Sequence, residues 1–280
     1  MAVTMTHFGA LPALRIDAAD GAQAIVTLFG AHLVAWQTAD GRQRLFCSSR
    51  SKMDGSAPIR GGVPVIFPQF GARGPGLRHG FARVSNWRLA ASDGDGDAAE
   101  FVLTEADLPQ ALAAAWPFEF ELRLRVALHA NGLELSFTVR NSGRQAFPFS
   151  AALHAYYLVG QLEQAGVEGL QQVRFEDHEQ HAGVQKEAAL RFAAKCDRIY
   201  YQVPGALALR AGEDLVTLEQ HGFADAVVWN PGAVDAAALA DLGDQEYRHF
   251  VCIEPALIEP LLLAPGAEWC GRQRVRCGAA

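Results

Sequence analysis

The sequence predicts an all-β protein, a large antiparallel β-sandwich with few short helices, on three observations. Apolar and charged residues alternate over two adjoining stretches, an Asn-Gly pair joins them, and helical periodicity is nearly absent elsewhere. In the first stretch, 118–129, Phe118, Phe120, Leu122, Leu124, Val126 and Leu128 alternate with Glu119, Glu121, Arg123 and Arg125. Strand side chains point alternately to opposite faces, so this segment has one buried and one charged face. In the second, Leu133, Leu135, Phe137 and Val139 alternate with Glu134, Ser136, Thr138 and Arg140. Asn131-Gly132 tolerates the positive φ that a tight turn requires, so the two stretches form a hairpin.

Shorter strand signals follow at 24–29, 33–37, 87–91, 100–104, 147–154, 173–175, 215–219, 226–229, 250–253 and 273–276, most separated by Gly, Pro, Asn or Asp. Helices are expected only at 105–115 and at 236–242 behind an Asp235 cap. No linker, repeat or low-complexity tract interrupts the chain, so residues 1–280 are read as a single sandwich domain. The Asp/Gly alternation at 93–97 reads as an exposed acidic loop, since no Glu stands where a calcium loop needs one.

Half of the 280 residues are apolar and a fifth are charged, which excludes a disordered chain. The net charge of −7 argues against nucleic acid or an anionic membrane as partner. Five scattered cysteines without a Cys-x-x-Cys exclude a disulfide framework and a cysteine zinc site. The first twenty residues lack the pattern of a signal peptide, and no apolar run approaches the roughly 18–20 residues of a membrane span. A cytoplasmic protein is expected.

The charge is unevenly spread. Between Gly55 and Ser92 there is no acid, yet there are Arg60, Arg73, Arg78, Arg83, Arg88 and His79, so this stretch is +5 and the remainder −12. Arginine's planar fork suits phosphate or carboxylate. A solvated loop whose arginines pair with acids elsewhere is the plain alternative. Around the arginines lie Gly61-Gly62, Phe67-Pro68-Gln69-Phe70-Gly71 and His79-Gly80-Phe81, a mixture suited to a sugar bearing an anionic group. The two glycines offer positive φ or close approach to a ligand. No P-loop and no dinucleotide fingerprint is present.

Two ionisable residues stand in apolar surroundings: His154, in Leu153-His154-Ala155-Tyr156, and Glu254, ending the run 250–253 just before Pro255. A core histidine is the commoner explanation of the first, whereas a carboxylate at the end of a buried strand must be solvated, paired or used. Trp229-Asn230 offers an aromatic wall and an amide to the same cleft, or a structural turn. His178-x-x-His181 with Glu176, Asp177 and Glu179 is better read as an exposed loop than as a metal site.

Arg60-Gly61-Gly62-x-Pro64, Phe67-Pro68-x-Phe70-Gly71, His79-Gly80-Phe81-Ala82-Arg83, Leu153-His154-x-Tyr156, Asp197-Arg198-x-Tyr200, Trp229-Asn230-Pro231 and Cys252-x-Glu254 occur in that order. Together they resemble the hexose-6-phosphate mutarotases (glucose-6-phosphate 1-epimerases) of the aldose-1-epimerase superfamily. The resemblance implies the galactose mutarotase-like supersandwich, with His154 as general acid and Glu254 as general base. It implies that Arg60 and Arg83 bind the substrate, its phosphate foremost, and that Asp197 binds hydroxyls. Arg78, His79, Trp229 and Asn230 complete the expected binding set, with no metal or organic cofactor, a hexose phosphate as the small-molecule partner, and the oligomeric state left open. Arg78 stands where the family often has Gln, and Cys196 where it usually has Thr. Anomer exchange opens the sugar ring: the anomeric hydroxyl loses a proton, the ring oxygen gains one, and the carbonyl rotates before reclosure. A carboxylate base and a protonated imidazole acid meet that need.

Overall fold

The computed structural model describes residues 2–90, 96–177 and 181–279; residues 93–95 of the Asp/Gly alternation, with His178 and Glu179, lie outside the described residues. Two large antiparallel sheets and a small one make the fold. The nine-stranded sheet runs Ala189–Arg191, Ala165–Glu168, Ala206–Ala211, Asp214–His221, Glu268–Ala279, Gly132–Asn141, Phe120–His129, Ala98–Thr104, Arg88–Leu89. The eight-stranded sheet runs Ala182–Val184, Arg174–Asp177, Cys196–Tyr200, Asp225–Asn230, Phe250–Leu263, Phe147–Leu153, Val65–Ile66, and Tyr156–Leu158 also pairs with Phe250–Leu263. Ala2–Phe8, Leu11–Asp17, Gln23–Thr27 and His32–Gln37 form the four-stranded sheet. No helix of the described residues is long and apolar enough to cross a membrane.

One core cluster draws on all three sheets: Leu14 and Trp36 from the small one, Phe149, Val228 and Ile253 from the eight-stranded one, Phe120, Phe137 and Val275 from the nine-stranded one. Phe67 lies within it, its ring centroid 5.3–6.4 Å from those of Phe81, Trp116, Phe120, Phe137 and Phe149. The first aromatic of Phe67-Pro68-Gln69-Phe70 is therefore packing, and only the chain beyond it turns to the cleft.

The alternating hairpin is present, with Phe120 opposite Asn141 and His129 opposite Gly132. Its turn residues are Ala130 and Asn131 (φ 55°), rather than Asn131-Gly132. Gly132 belongs to the strand because a Cβ there would lie 2.7 Å from the Val275 carbonyl oxygen of the next strand. The expected helix 105–115 is split into a 3-10 turn, Glu105–Asp107, and Gln110–Ala115, because Pro109 cannot continue a helix. The second helix is Gly232–Ala238, earlier than expected; Asp235 sits inside its first turn, paired with Lys195, and does not cap it.

The strand containing Glu254 does not end there: it continues through Pro255 to Leu263. On one flank, Phe147–Leu153 pairs with it up to Ala152 opposite Ala256, and Tyr156–Leu158 resumes with Tyr156 opposite Cys252. Pro255, which has no N–H to give, falls in this interruption of the ladder. The register is the same on both sides of the gap, and carrying it through places His154 opposite Glu254. On the other flank Glu254 faces Val227 and Cys252 faces Trp229, which in turn faces Asp197. Directly opposed residues share a face of the sheet. His154, Tyr156, Glu254, Val227, Trp229 and Asp197 therefore all project from the face turned away from the core.

Candidate active site

That face floors a cleft of about 370 Å³, and Arg60, Arg78, His79, Arg83 and Asp241 contribute to its walls. A larger cavity of about 460 Å³ lies between Gly74–Leu77 and Trp116–Phe118, but its lining is mainly apolar and holds no acid–base pair. The polar groups converge in the first.

His154 Nε2 lies 3.3 Å from Glu254 Oε1. Both side chains are buried, and His154 Nδ1 and Glu254 Oε2 have no hydrogen-bond partner. The His154 ring stacks on Tyr156 (4.9 Å, 10°) and meets Trp229 and His79 edge to face. Burial, followed by His79, Arg83 and Arg60, pushes the His154 pKa well below the imidazole range. Burial, helped by Asp197, pushes that of Glu254 well above the carboxylate range. The protonated imidazole expected from the sequence is thus not what the unliganded cleft favours. A neutral imidazole beside a protonated carboxyl is favoured instead, since burial penalises charge on either group. One proton belongs to the pair in both arrangements.

His79 is also neutral, its pKa lowered to about 3 by burial and by the charges of Arg83, Arg78 and Arg60. Its Nδ1 accepts the Gly71 N–H (3.2 Å), so the ring proton sits on Nε2. Asp197 lines the cleft opposite Trp229, as expected. Asn230 does not: it is fully buried, donating to the carbonyls of Tyr247 and Phe250 and accepting from Gly232 N–H. Its amide is used up on the backbone, so the structural-turn alternative applies to it.

Folding divides the arginine island. Arg73 pairs with Glu176 and Arg88 with Asp107, both at exposed places outside the cleft. Arg60 is in the cleft, but its Nε and Nη2 fork onto Asp241 (3.0–3.2 Å) and its Nη1 donates to Tyr156 OH (3.2 Å). Those partners outweigh burial and raise its pKa. Arg83 differs: Nη2 donates to the Arg78 carbonyl (2.9 Å), while the buried Nε has no partner. Burial, with Arg60 and Arg78 adding to it, lowers its pKa to about 10. Among the described residues neither Arg78 nor Arg83 forms an ion pair. Asp241 is the cleft residue that sequence reasoning missed. Gly61 and Gly62 do take positive φ (127° and 59°), but the close approach is to the chain itself. A Cβ would lie 2.4 Å from Cys47 Cα at the first and 2.3 Å from the Leu33 carbonyl oxygen at the second.

His154, Cys252 and Glu254 bring donor atoms within 4.8 Å of one another. The set does not fit a resident metal: His154 Nδ1 lacks the orienting partner a metal-bound imidazole normally has. Burial and Glu254 also drive the Cys252 thiol well above its usual pKa, away from the thiolate that ligates.

A β-sandwich whose open face carries a buried imidazole–carboxyl pair and an aromatic wall, with three arginines beside them, defines an acid–base cleft for a small polar ring. The sequence model of the aldose 1-epimerase family matches residues 12–276. A protein of Cenchrus ciliaris provisionally named glucose-6-phosphate 1-epimerase is 34% identical over 88% of this chain and 79% of its own. One of the same provisional name from Escherichia coli K12 is 32% identical over 84% and 79%. Among solved structures, a provisional mutarotase of Salmonella typhimurium superposes with a TM-score of 0.89 at 26% identity, covering 100% of this chain and 94% of its own. A galactose mutarotase-like protein of Clostridium acetobutylicum shares the fold at 18% identity (TM-score 0.79, covering 99% and 98%). The chain belongs to the aldose 1-epimerase family and is an isomerase.

Proposed function

We propose that the protein interconverts the α and β anomers of hexose 6-phosphates, glucose 6-phosphate first among them, without a cofactor. The carrying observation is a cleft in which a proton-sharing His154–Glu254 pair faces two arginines that have no carboxylate partner among the described residues. The names of the relatives at 34% and 32% identity support the same substrate.

One proton suffices for the chemistry. With the proton on His154, Glu254 takes the proton of the anomeric hydroxyl while His154 Nε2 gives its own to the ring oxygen. The ring bond breaks, the open carbonyl rotates, and reclosure runs the transfers backwards. The anionic substrate favours this arrangement: a phosphate beside Arg83 offsets one of the positive charges that, after burial, hold the imidazole neutral. Trp229 gives the sugar an apolar wall, Asp197 accepts from its hydroxyls and His79 donates through Nε2–H. The arginines fix the phosphate and thereby the distance of C1 from the pair. Five free cysteines fit a reducing cytoplasm.

The test follows anomer exchange of glucose 6-phosphate and of glucose by NMR, with and without the protein, subtracting spontaneous mutarotation. Acceleration of the phosphorylated sugar well beyond the free one is expected. Equal acceleration of both makes the protein a general aldose 1-epimerase; none leaves a sugar-binding sandwich.

A further inference from the structure

We infer that Gln69, which does not reach the cleft, is the positioning residue for the phosphate arginines; the inference rests on the phosphate reading above. The segment from Gly71 to Gly80 has Gly71, Gly74, Gly76 and Gly80, with no helix or strand. Such a segment samples many conformations and cannot by itself present a side chain at a fixed point. Arg78 is nonetheless at its end, at the mouth of the cleft.

The loop is closed at its base and wound on a core. At the base, His79 N–H donates to the Gly71 carbonyl (2.8 Å), Gly71 N–H donates to His79 Nδ1 (3.2 Å), and Phe67 bridges Gly80. Its core is the Gln69 amide, which is buried. Oε1 accepts the Gly76 N–H (2.8 Å), and Nε2 faces the carbonyls of Gly71, Gly74 and Gly76 (3.3, 3.4 and 3.4 Å). The glycines are the counterpart of this side chain, since a Cβ would lie 2.6 Å from Gln69 Oε1 at Gly74 and 3.0 Å at Gly76. The contact demands one acceptor and two donors on a planar group. A carboxylate would set its second oxygen against three carbonyls, and a leucine would leave all of them and the Gly76 N–H unpaired.

What the winding fixes is a short chain of contacts. Gln69 sets the path of residues 74–76, hence the place of Arg78, whose carbonyl receives Arg83 Nη2. Both unpaired cations of the cleft depend on it. His79 does not: it is buried, held by the base contacts and packed edge to face on Phe70 (5.2 Å). Loosening the winding therefore affects the hold on phosphate and spares the chemistry next to His154.

The experiment compares the wild type with Gln69→Glu and Gln69→Leu on glucose 6-phosphate and on glucose, separating KM from kcat. The variants should lose roughly 10- to 100-fold in kcat/KM for the phosphorylated sugar, almost wholly in KM, the size of one or two lost charged hydrogen bonds. The rate on glucose should change less than twofold. Gly76→Ala, which intrudes on the same contact from the loop side, should give a smaller loss of the same kind and serves where the Gln69 variants fold poorly. Combining Gln69→Leu with Arg78→Ala should cost less than the product of the single losses, because part of the effect of Gln69 passes through Arg78. A wild type that prefers phosphorylated sugar, with variants that keep the full preference or lose both substrates equally, overturns the role of Gln69 alone. A wild type without preference overturns the phosphate reading and this inference with it.

Discussion

Replacing Arg83 by methionine should stabilise the free protein and loosen its hold on phosphorylated sugars. In the unliganded cleft the guanidinium is mostly buried, its Nε has no partner, and its pKa is lowered from 12.5 to about 10. Holding the charge there costs on the order of 3 kcal/mol, reduced to about 2 by the solvent that reaches the open side. Methionine retains much of the stem's packing and forfeits the bond from the charged guanidinium to the Arg78 carbonyl (2.9 Å), worth about 1.5 kcal/mol. The balance is a gain of about 0.5 kcal/mol, or about 1–2 °C in Tm, read by urea and thermal unfolding without ligand. Inorganic phosphate then reports the anchor. At a hundred times its Kd it should stabilise the wild type by about 2.7 kcal/mol. In a variant binding 10- to 100-fold more weakly, the same concentration gives only about 0.4–1.4 kcal/mol. A variant less stable than the wild type by more than about 1 kcal/mol refutes the unsatisfied cation. Equal protection of both proteins moves the anchor off Arg83, to Arg78 or to Arg60 in spite of Asp241.

Glu254→Gln should slow anomer exchange by roughly 10²–10⁴-fold with little change in KM for glucose 6-phosphate; near-normal exchange would remove Glu254 from the chemistry. The pair takes a second proton only below the ordinary imidazole range, since His154 is lowered, and loses its one proton only above the ordinary carboxylate range, since Glu254 is raised. Hence kcat/KM for glucose, which has no group of its own titrating there, should be flat through pH 6.5 and fall on the alkaline side; a break at about 6.5 would indicate an ordinary exposed histidine. Glu246 accepts Ser48 OH (2.6 Å), Ser49 N–H (3.0 Å) and Gly243 N–H (2.7 Å), tying the segment that carries Asp241 to the one whose Ser48 N–H holds the Arg60 carbonyl (2.9 Å). Glu246→Ala should destabilise by roughly 2–3 kcal/mol in urea unfolding, and under 1 kcal/mol would mean water replaces the carboxylate. Those hydrogen bonds more than offset burial and lower its pKa, so its contribution is full at neutral pH and disappears as pH falls through the lowered folded value.

What the sequence reveals depends on whether a residue's task is local. The 118–140 hairpin is legible because each strand has one buried face and the turn lies between them. Leu11–Asp17 is not: Ala13 and Leu14 are both buried, which breaks the period of two. Ala2–Phe8 is an outer strand with no buried residue and so no pattern to read. Asp241 and Asp244 stand in one short stretch, yet the first grips Arg60 and the second, almost fully exposed, pairs with Arg50. Nothing local separates them. His154 and Glu254 are each conspicuous as ionisable groups among apolar neighbours, but their meeting follows from a register that persists across a gap in the ladder.

The arginine island shows the same division. A formal +5 over one stretch is a statement about composition, and folding redistributes it. Glu176, Asp107 and Asp241 neutralise Arg73, Arg88 and Arg60, two of them outside the cleft. Arg78 and Arg83 remain. Arg60 also lines the cleft, where, forked onto Asp241 and bonded to Tyr156, it braces the ring on which His154 stacks. A phosphate arriving at the mouth meets two cations with unspent donors. A phosphate reaching Arg60 must first displace a carboxylate that satisfies it in three bonds. On the proposed reading, the order of availability, and not the count of arginines, sets where the anion rests and therefore which sugar carbon faces the proton-sharing pair.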